Sequence, residues 1–188
     1  EAQSTADLER RLADAEALAR ATPDCLYIYD VAACEYRYQN VAVSEFLGYT
    51  PDQVAAIAAE HDFYAYVAHP DEVAEQHEAV MRQREIGPDE SMQHLFRLRH
   101  GSGGYRWYSL RVVSFRRCAD GSPREVLGLM RDVHDVVEAT SRLNESERRF
   151  RELFDRSPAG TALVRDDGTF TEVNDALCAF IGMSRTEL

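Results

Sequence analysis

The stretch "NDALCAFIGMSRTEL" at 174–188 repeats "NVAVSEFLGYTPDQV" at 40–54 without a gap. The pairs Asn40/Asn174, Ala42/Ala176, Phe46/Phe180 and Gly48/Gly182 are identical. Val43/Leu177, Leu47/Ile181, Thr50/Ser184, Gln53/Glu187 and Val54/Leu188 are conservative. The physical roles repeat as well. In each copy an Asn is placed to cap a short apolar helix. A Gly then closes it in the left-handed conformation, and a Thr or Ser caps a second short helix. Upstream, "TPDCLYIYDVAACEYRYQN" at 22–40 matches "SPAGTALVRDDGTFTEVN" at 157–174 with one residue of slippage. A period of 134, from Asn40 to Asn174, is far too long for a solenoid. It is the length of one domain plus a linker, so the chain reads as tandem copies of one domain, the second running through its first third.

Composition narrows the class of partner. A net charge of −12 over 188 residues argues against nucleic acid, which needs a basic face. All 21 basic residues are Arg, in keeping with a GC-rich bacterial genome. Cys25, Cys34, Cys118 and Cys178 have no C-x-x-C spacing. They read as small buried side chains in a reducing compartment, with neither zinc nor a redox dithiol implied. No apolar run is long enough to span a bilayer, and no signal peptide is present, so a cytoplasmic setting is expected.

Along the chain, residues 1–22 form an amphipathic segment with Leu8, Leu12, Ala15 and Ala19 in a coiled-coil-like stripe, stopped by Thr22-Pro23. Residues 25–30 and 35–39 read as a hairpin. Short helices follow at 41–47, 51–58 and 62–67. A longer one starts at Pro70, with acidic residues in its first turn, and stops at Gly87. Strands are expected at 92–100, 105–117 and 124–133, with turns at 101–104 and 119–123. Five antiparallel strands with helices on one face give an α+β domain over 23–134. From Asp135 the pattern turns helical. Val136, Thr140, Leu143, Glu147, Phe150 and Phe154 make a heptad seam in a linker helix over 135–156, and residues 157–188 begin the second copy.

This order, with these phrases, resembles the PAS domain of bacterial signalling proteins. "NVAVSEFLGYTPDQV", "HPDE" at 69–72, "RLRHGSGGYRWYSLRV" at 97–112 and "GLMRDVHD" at 128–135 resemble its recurring motifs, with Gly103 where Asp is usual and His134 where Thr is usual. "SERRFRELFDRSPAGTALV" resembles the junction into a second such domain. The resemblance implies a PAS fold, and a sensory input module that passes its signal through flanking helices to a covalently linked output domain outside this chain. That output is often a histidine kinase or a diguanylate cyclase. It also implies homodimers through the flanking helices. In the family, the Asp of the closing motif, here Asp132, ties the last strand to the helix, with Arg131 a plausible partner. Asp135 is expected to cap that helix in place of His134.

No nucleotide, hydrolase or metalloprotease motif is present, and catalysis within the chain is not expected. For a small ligand, Tyr27, Tyr29, Tyr36, Tyr38, His77, Met81, His94 and Trp107 are the candidate pocket residues. A flavin is disfavoured, because "NVAVSEF" lacks the reactive Cys of light-sensing relatives. Haem is the alternative. His77 shares a helical face with Val73, Val80 and Met81, and aligned on Pro70 it resembles the proximal ligand of haem-binding oxygen sensors. His94 is a strand position of matching parity. A single His on an apolar face is more often a core residue. No metal ligand other than His77 in that alternative is expected.

Overall fold

A computed structural model describes residues 2–185 and residue 187. Leu188, the repeat partner of Val54, and the side chain of Leu8 in the N-terminal stripe lie outside the described residues. The chain divides into two compact units, Glu1–His134 and Asp135–Leu188.

In the first unit, helix α1 (Ala2–Ala21) precedes strands β1 (Cys25–Asp30) and β2 (Glu35–Gln39). Helices α2 (Val43–Phe46), α3 (Pro51–Glu60), α4 (Phe63–Val67) and α5 (Val73–Arg82) follow, then β3 (Ser91–Arg99), β4 (Tyr105–Arg117) and β5 (Pro123–Asp132). The five strands form one antiparallel sheet in the order β2-β1-β5-β4-β3. The chain therefore enters at β1, next to the β2 edge, leaves through the helices, returns at the opposite edge and ends on the central strand β5. The expected α+β architecture is the one observed.

Period-two alternation decides what faces the helices. Across β3 and β4, His94 lies opposite Leu110 and Phe96 opposite Tyr108; across β4 and β5, Leu110 lies opposite Met130 and Val112 opposite Gly128. These residues share the inner face. There Tyr27, Phe96, Leu98, Tyr108 and Met130 pack on Val43, Leu47 and Val67 of the short helices. Tyr108, Leu47, Val67, Val112 and Val126 are all fully buried. Each contributes about 1.5–3 kcal/mol by leaving water. Gly128 belongs to this face because the Tyr27 ring lies directly over it; a Cβ there would overlap the ring.

Side chains cap several helix starts, while the single helix expected from Pro70 to Gly87 is split into a 3-10 turn, α5 and a second 3-10 turn at Gln83–Glu85. Thr50 and Gln53 form a capping box on α3, and Asp62 caps α4. His69 accepts the Asp71 N–H at the start of the 3-10 turn Pro70–Glu72. One cap differs from expectation. Helix α2 starts after Ala42 with no side-chain cap, because it begins two residues later than its counterpart in the second copy and Asn40 Oδ1 accepts the Val41 N–H instead. The cysteines differ too. Cys25 is buried, but Cys34 and Cys118 are exposed, since both sit in the connections between strands where no core forms.

The second unit contains α6 (His134–Arg156, its first residue at the boundary), the hairpin β6 (Ala162–Val164) with β7 (Phe170–Val173), and α7 (Asp175–Ile181). Asn174 caps α7 by accepting the Leu177 N–H at 2.9 Å, and Gly182 closes it at φ 77°. Gly48, its counterpart after α2, has φ 79°. A side chain at either position would be strained.

Candidate functional site

Between the inner face of the sheet and helices α4 and α5 lies a cavity of about 520 Å³. Tyr27, Tyr29 and Tyr36 form one wall. Their rings pack edge to face, with centroids 5.3 Å apart for Tyr27–Tyr36 and 5.1 Å for Tyr29–Tyr36. His94 and Phe96, stacked 5.4 Å apart, form another wall on β3. Gln76, Ala79, Val80 and Gln83 close it from α5 and the turn that follows. Tyr64 stands near the rim, its hydroxyl donating to that of Tyr36 at 3.1 Å. Burial pushes the phenols of Tyr27 and Tyr36 well up, so both stay neutral donors at any ordinary pH.

Of the expected pocket residues, Tyr27, Tyr29, Tyr36 and His94 line the cavity. Tyr38, His77, Met81 and Trp107 do not, and each has a physical reason. A bulge between the Ile28 and Tyr29 pairs turns Tyr38 to the face opposite Tyr36. Trp107 lies opposite Arg97 on the outer face, where the Arg97 guanidinium sits 5.1 Å from its ring centroid. The phase of α5 decides the other two. The Glu72 carboxylate accepts the Arg97 backbone N–H at 2.7 Å and its Nε–H at 2.6 Å. Gln76 donates to the Arg97 carbonyl at 3.3 Å. These ties turn positions 76, 79 and 83 toward the sheet and leave Val73, His77 and Met81 exposed. Burial alone would raise the Glu72 carboxyl, but the two bonds from Arg97 outweigh it and hold the carboxyl below its usual range.

Haem fits this site poorly. His77 faces solvent, and among the described residues no Arg lines the cavity to receive propionates. Among the described residues, no cluster of His, Cys, Asp and Glu could hold a metal ion, and no helix is long and apolar enough to cross a membrane.

Gln76, Gln83, Tyr64 and Cys34 line the cavity without having been singled out. A helical stripe at 76, 79, 80 and 83 was present, but two of its members are Gln and one is Ala, so the apolar stripe at 73, 77 and 81 outweighed it. Cys34 reaches the rim at φ 56°, with the Arg84 guanidinium donating to its Sγ at 3.8 Å.

At the exit from the sheet, Asp132 accepts the His134 backbone N–H at 3.0 Å and pairs with Arg106 at 2.7 Å. Arg131 is not its partner. Adjacent strand residues point to opposite faces, and Arg131 instead clasps the buried Asp24 with bonds of 2.6–3.0 Å. Asp135 lies inside the first turn of α6 rather than at its cap, because the helix already begins at His134. An acidic residue there still favours the helix N-terminus.

The first unit is thus a five-stranded antiparallel sheet interrupted by short helices, with a cavity between the two layers. The family description "PAS fold" matches residues 36–130, and "PAS domain" matches 148–188. The chain belongs to the PAS family and contains a PAS sensory domain. Over 126 residues, 66% of its length, it is 31% identical to the uncharacterized protein y4lL of Sinorhizobium fredii, covering 14% of that protein. Over 107 residues, 56% of its length, it is 35% identical to the two-component sensor PprA of Pseudomonas aeruginosa, covering 11% of it. The chain thus spans a small fraction of these curated relatives. In fold it is similar to a sensory box histidine kinase/response regulator from Burkholderia thailandensis, with TM-score 0.51 and 21% identity over 70% of this chain and 92% of that one.

Proposed function

We propose that this chain is the sensory input and relay module of a bacterial signal-transduction protein. A small ligand occupies the cavity of the first unit. The signal passes through α6 to a covalently linked output domain of histidine kinase or diguanylate cyclase type, and homodimers form through the flanking helices. The described segment itself turns over no substrate, and the unpaired cysteines suit a reducing cytoplasm. One observation carries the reading: a cavity of about 520 Å³ lies inside a domain that could have packed it shut. That volume is in the range of about 300–1,000 Å³ usual for small-molecule sites.

The experiment is a melting-temperature screen of the purified chain against a metabolite library, repeated on Ala79→Phe, which fills the cavity. The expected result is stabilisation by a small set of compounds, lost in the variant. A full-length protein whose output still responds to its stimulus with Ala79→Phe in place would refute the ligand reading.

A further inference from the structure

The cavity has one chemical character throughout. Tyr27 is 7% exposed and Gln83 6% exposed, and both line the cavity. Among the described residues neither the Tyr27 hydroxyl nor the Gln83 carboxamide has a hydrogen-bond partner in the protein, and while the two residues are largely buried, their polar atoms stay open to the cavity. Buried polar groups are nearly always paired, and leaving one unpaired is costly. The Tyr27 and Gln83 groups are open to the cavity, so water fills their bonding positions until a ligand with matching groups displaces it.

Among the described residues no Asp, Glu or Arg lines the cavity; the nearest cation noted is the Arg84 guanidinium, outside the lining and bonded to Cys34 Sγ at the rim. A charged ligand deep in the cavity would lose its hydration with no charged side chain of the lining to replace it. Burial also keeps the Tyr27 phenol protonated, so it offers a neutral donor. The walls are aromatic on two sides: Tyr27 and Tyr36 meet at 88° on one, and His94 and Phe96 stack at 25° on the other. Flat rings pack well on both arrangements.

We propose that the cavity takes an uncharged, flat aromatic molecule carrying a carbonyl and a hydroxyl group. The Tyr27 hydroxyl donates to the carbonyl. The Gln83 carboxamide, which can both donate and accept, engages the hydroxyl. The inference rests on reading the cavity as the ligand site.

The test uses the purified chain and three probes: 7-hydroxycoumarin, its 3-carboxylate, and decan-1-ol. Each is titrated in mildly acidic buffer, where the first is uncharged, with fluorescence or melting temperature as readout. 7-Hydroxycoumarin is expected to saturate one site and to bind about tenfold or more tighter than the carboxylate. Tyr27→Phe and Gln83→Leu should each weaken it about tenfold with unchanged circular dichroism. Tyr38→Phe, on the opposite face, should leave it unaltered, and Ala79→Phe should abolish it. If the carboxylate or decan-1-ol binds as tightly, or if none of the probes binds, the ligand class is overturned while the cavity reading stands on its own screen. If binding survives Ala79→Phe, the cavity is not the site and both readings fall.

Discussion

Asn40 and Asn174 make matching sets of hydrogen bonds in two separate parts of the chain. Asn40 Oδ1 accepts the Leu26 N–H at 2.8 Å, and its Nδ2 donates to the carbonyls of Ala19 and Asp24 at 2.8 and 2.9 Å. Asn174 Oδ1 accepts the Thr161 N–H at 2.9 Å, and its Nδ2 donates to the carbonyls of Phe154 and Ala159 at 3.0 and 2.8 Å. The partner pairs (19 and 154, 24 and 159, 26 and 161) are all 135 apart. Each Asn thus ties a preceding helix, the loop after it and the start of a strand into one joint. The next joint repeats too: the Thr50 and Ser184 N–H groups each donate to the side chain three residues on, both at 2.8 Å.

Asn40→Ala removes all three of these bonds and leaves the Leu26 N–H and two carbonyls in want of partners. We expect a loss of about 2 kcal/mol, read as a lower urea midpoint with unchanged slope. Asn40→Asp, which keeps the acceptor and loses the donors, should fall between the two. An unaltered midpoint for Asn40→Ala would show that the joint is not structural.

Gly128→Ala places a methyl group where the Tyr27 ring lies. The expected cost is about 1–3 kcal/mol, together with weakened ligand binding. Combining it with Tyr27→Ala should cost less than the sum of the single changes, because the clash disappears. Simple additivity in a double-mutant cycle would count against the close approach.

The Glu72–Arg97 tie predicts a pH dependence. The folded carboxyl is held below its unfolded value, so its stabilisation is complete above about pH 4.3. It is lost as pH falls through the depressed folded value. Glu72→Gln should lower stability by about 1 kcal/mol at neutral pH, and the difference from wild type should vanish in strong acid. A gap between the two urea midpoints that is flat with pH would exclude the ion pair as its source.

Asp132→Ala removes the cap on the His134 N–H and a half-exposed pair with Arg106. The cap is worth about 1 kcal/mol, and the exposed pair adds little. The first unit should melt within a few degrees of wild type. The same amount shifts a two-state helix roughly fivefold, so the output of a full-length protein should change measurably. Unchanged output would route the signal away from this joint.

Dimerisation through α6 is testable on its seam. Val136 is 69% and Leu143 68% exposed, and Glu147 in the same seam pairs with Arg151 at 2.7 Å on its own helix. Leu143→Asp should convert a dimer to monomer in sedimentation equilibrium at micromolar concentration, while the circular dichroism of the domain is retained. A dimer that survives places the interface elsewhere.

The architecture was legible in the chain because its signals are local. Alternation marked the strands, Thr50 and Pro70 marked helix starts, and Gly48 and Gly182 marked left-handed stops. The repeat announced the second hairpin before any geometry was known. Tyr27, Tyr29, Tyr36 and His94, named as pocket candidates, do line the cavity. What the sequence left undecided were questions of phase and register, which depend on partners far away along the chain. A bulge opposite β1 separates Tyr36 from Tyr38. A carboxylate at Glu72 reaching Arg97, 25 residues on, rotates α5 so that Gln76 and Gln83 face inward and His77 faces water. The stripe at Val73, His77 and Met81 was real, but hydrophobicity alone could not say that the ion pair and the Gln76 bond would outweigh it. Asp24 likewise claimed Arg131 across 107 residues, leaving Asp132 to Arg106. Local periodicity determines which elements form; only the tertiary hydrogen bonds and ion pairs decide which side chains they present to the cavity.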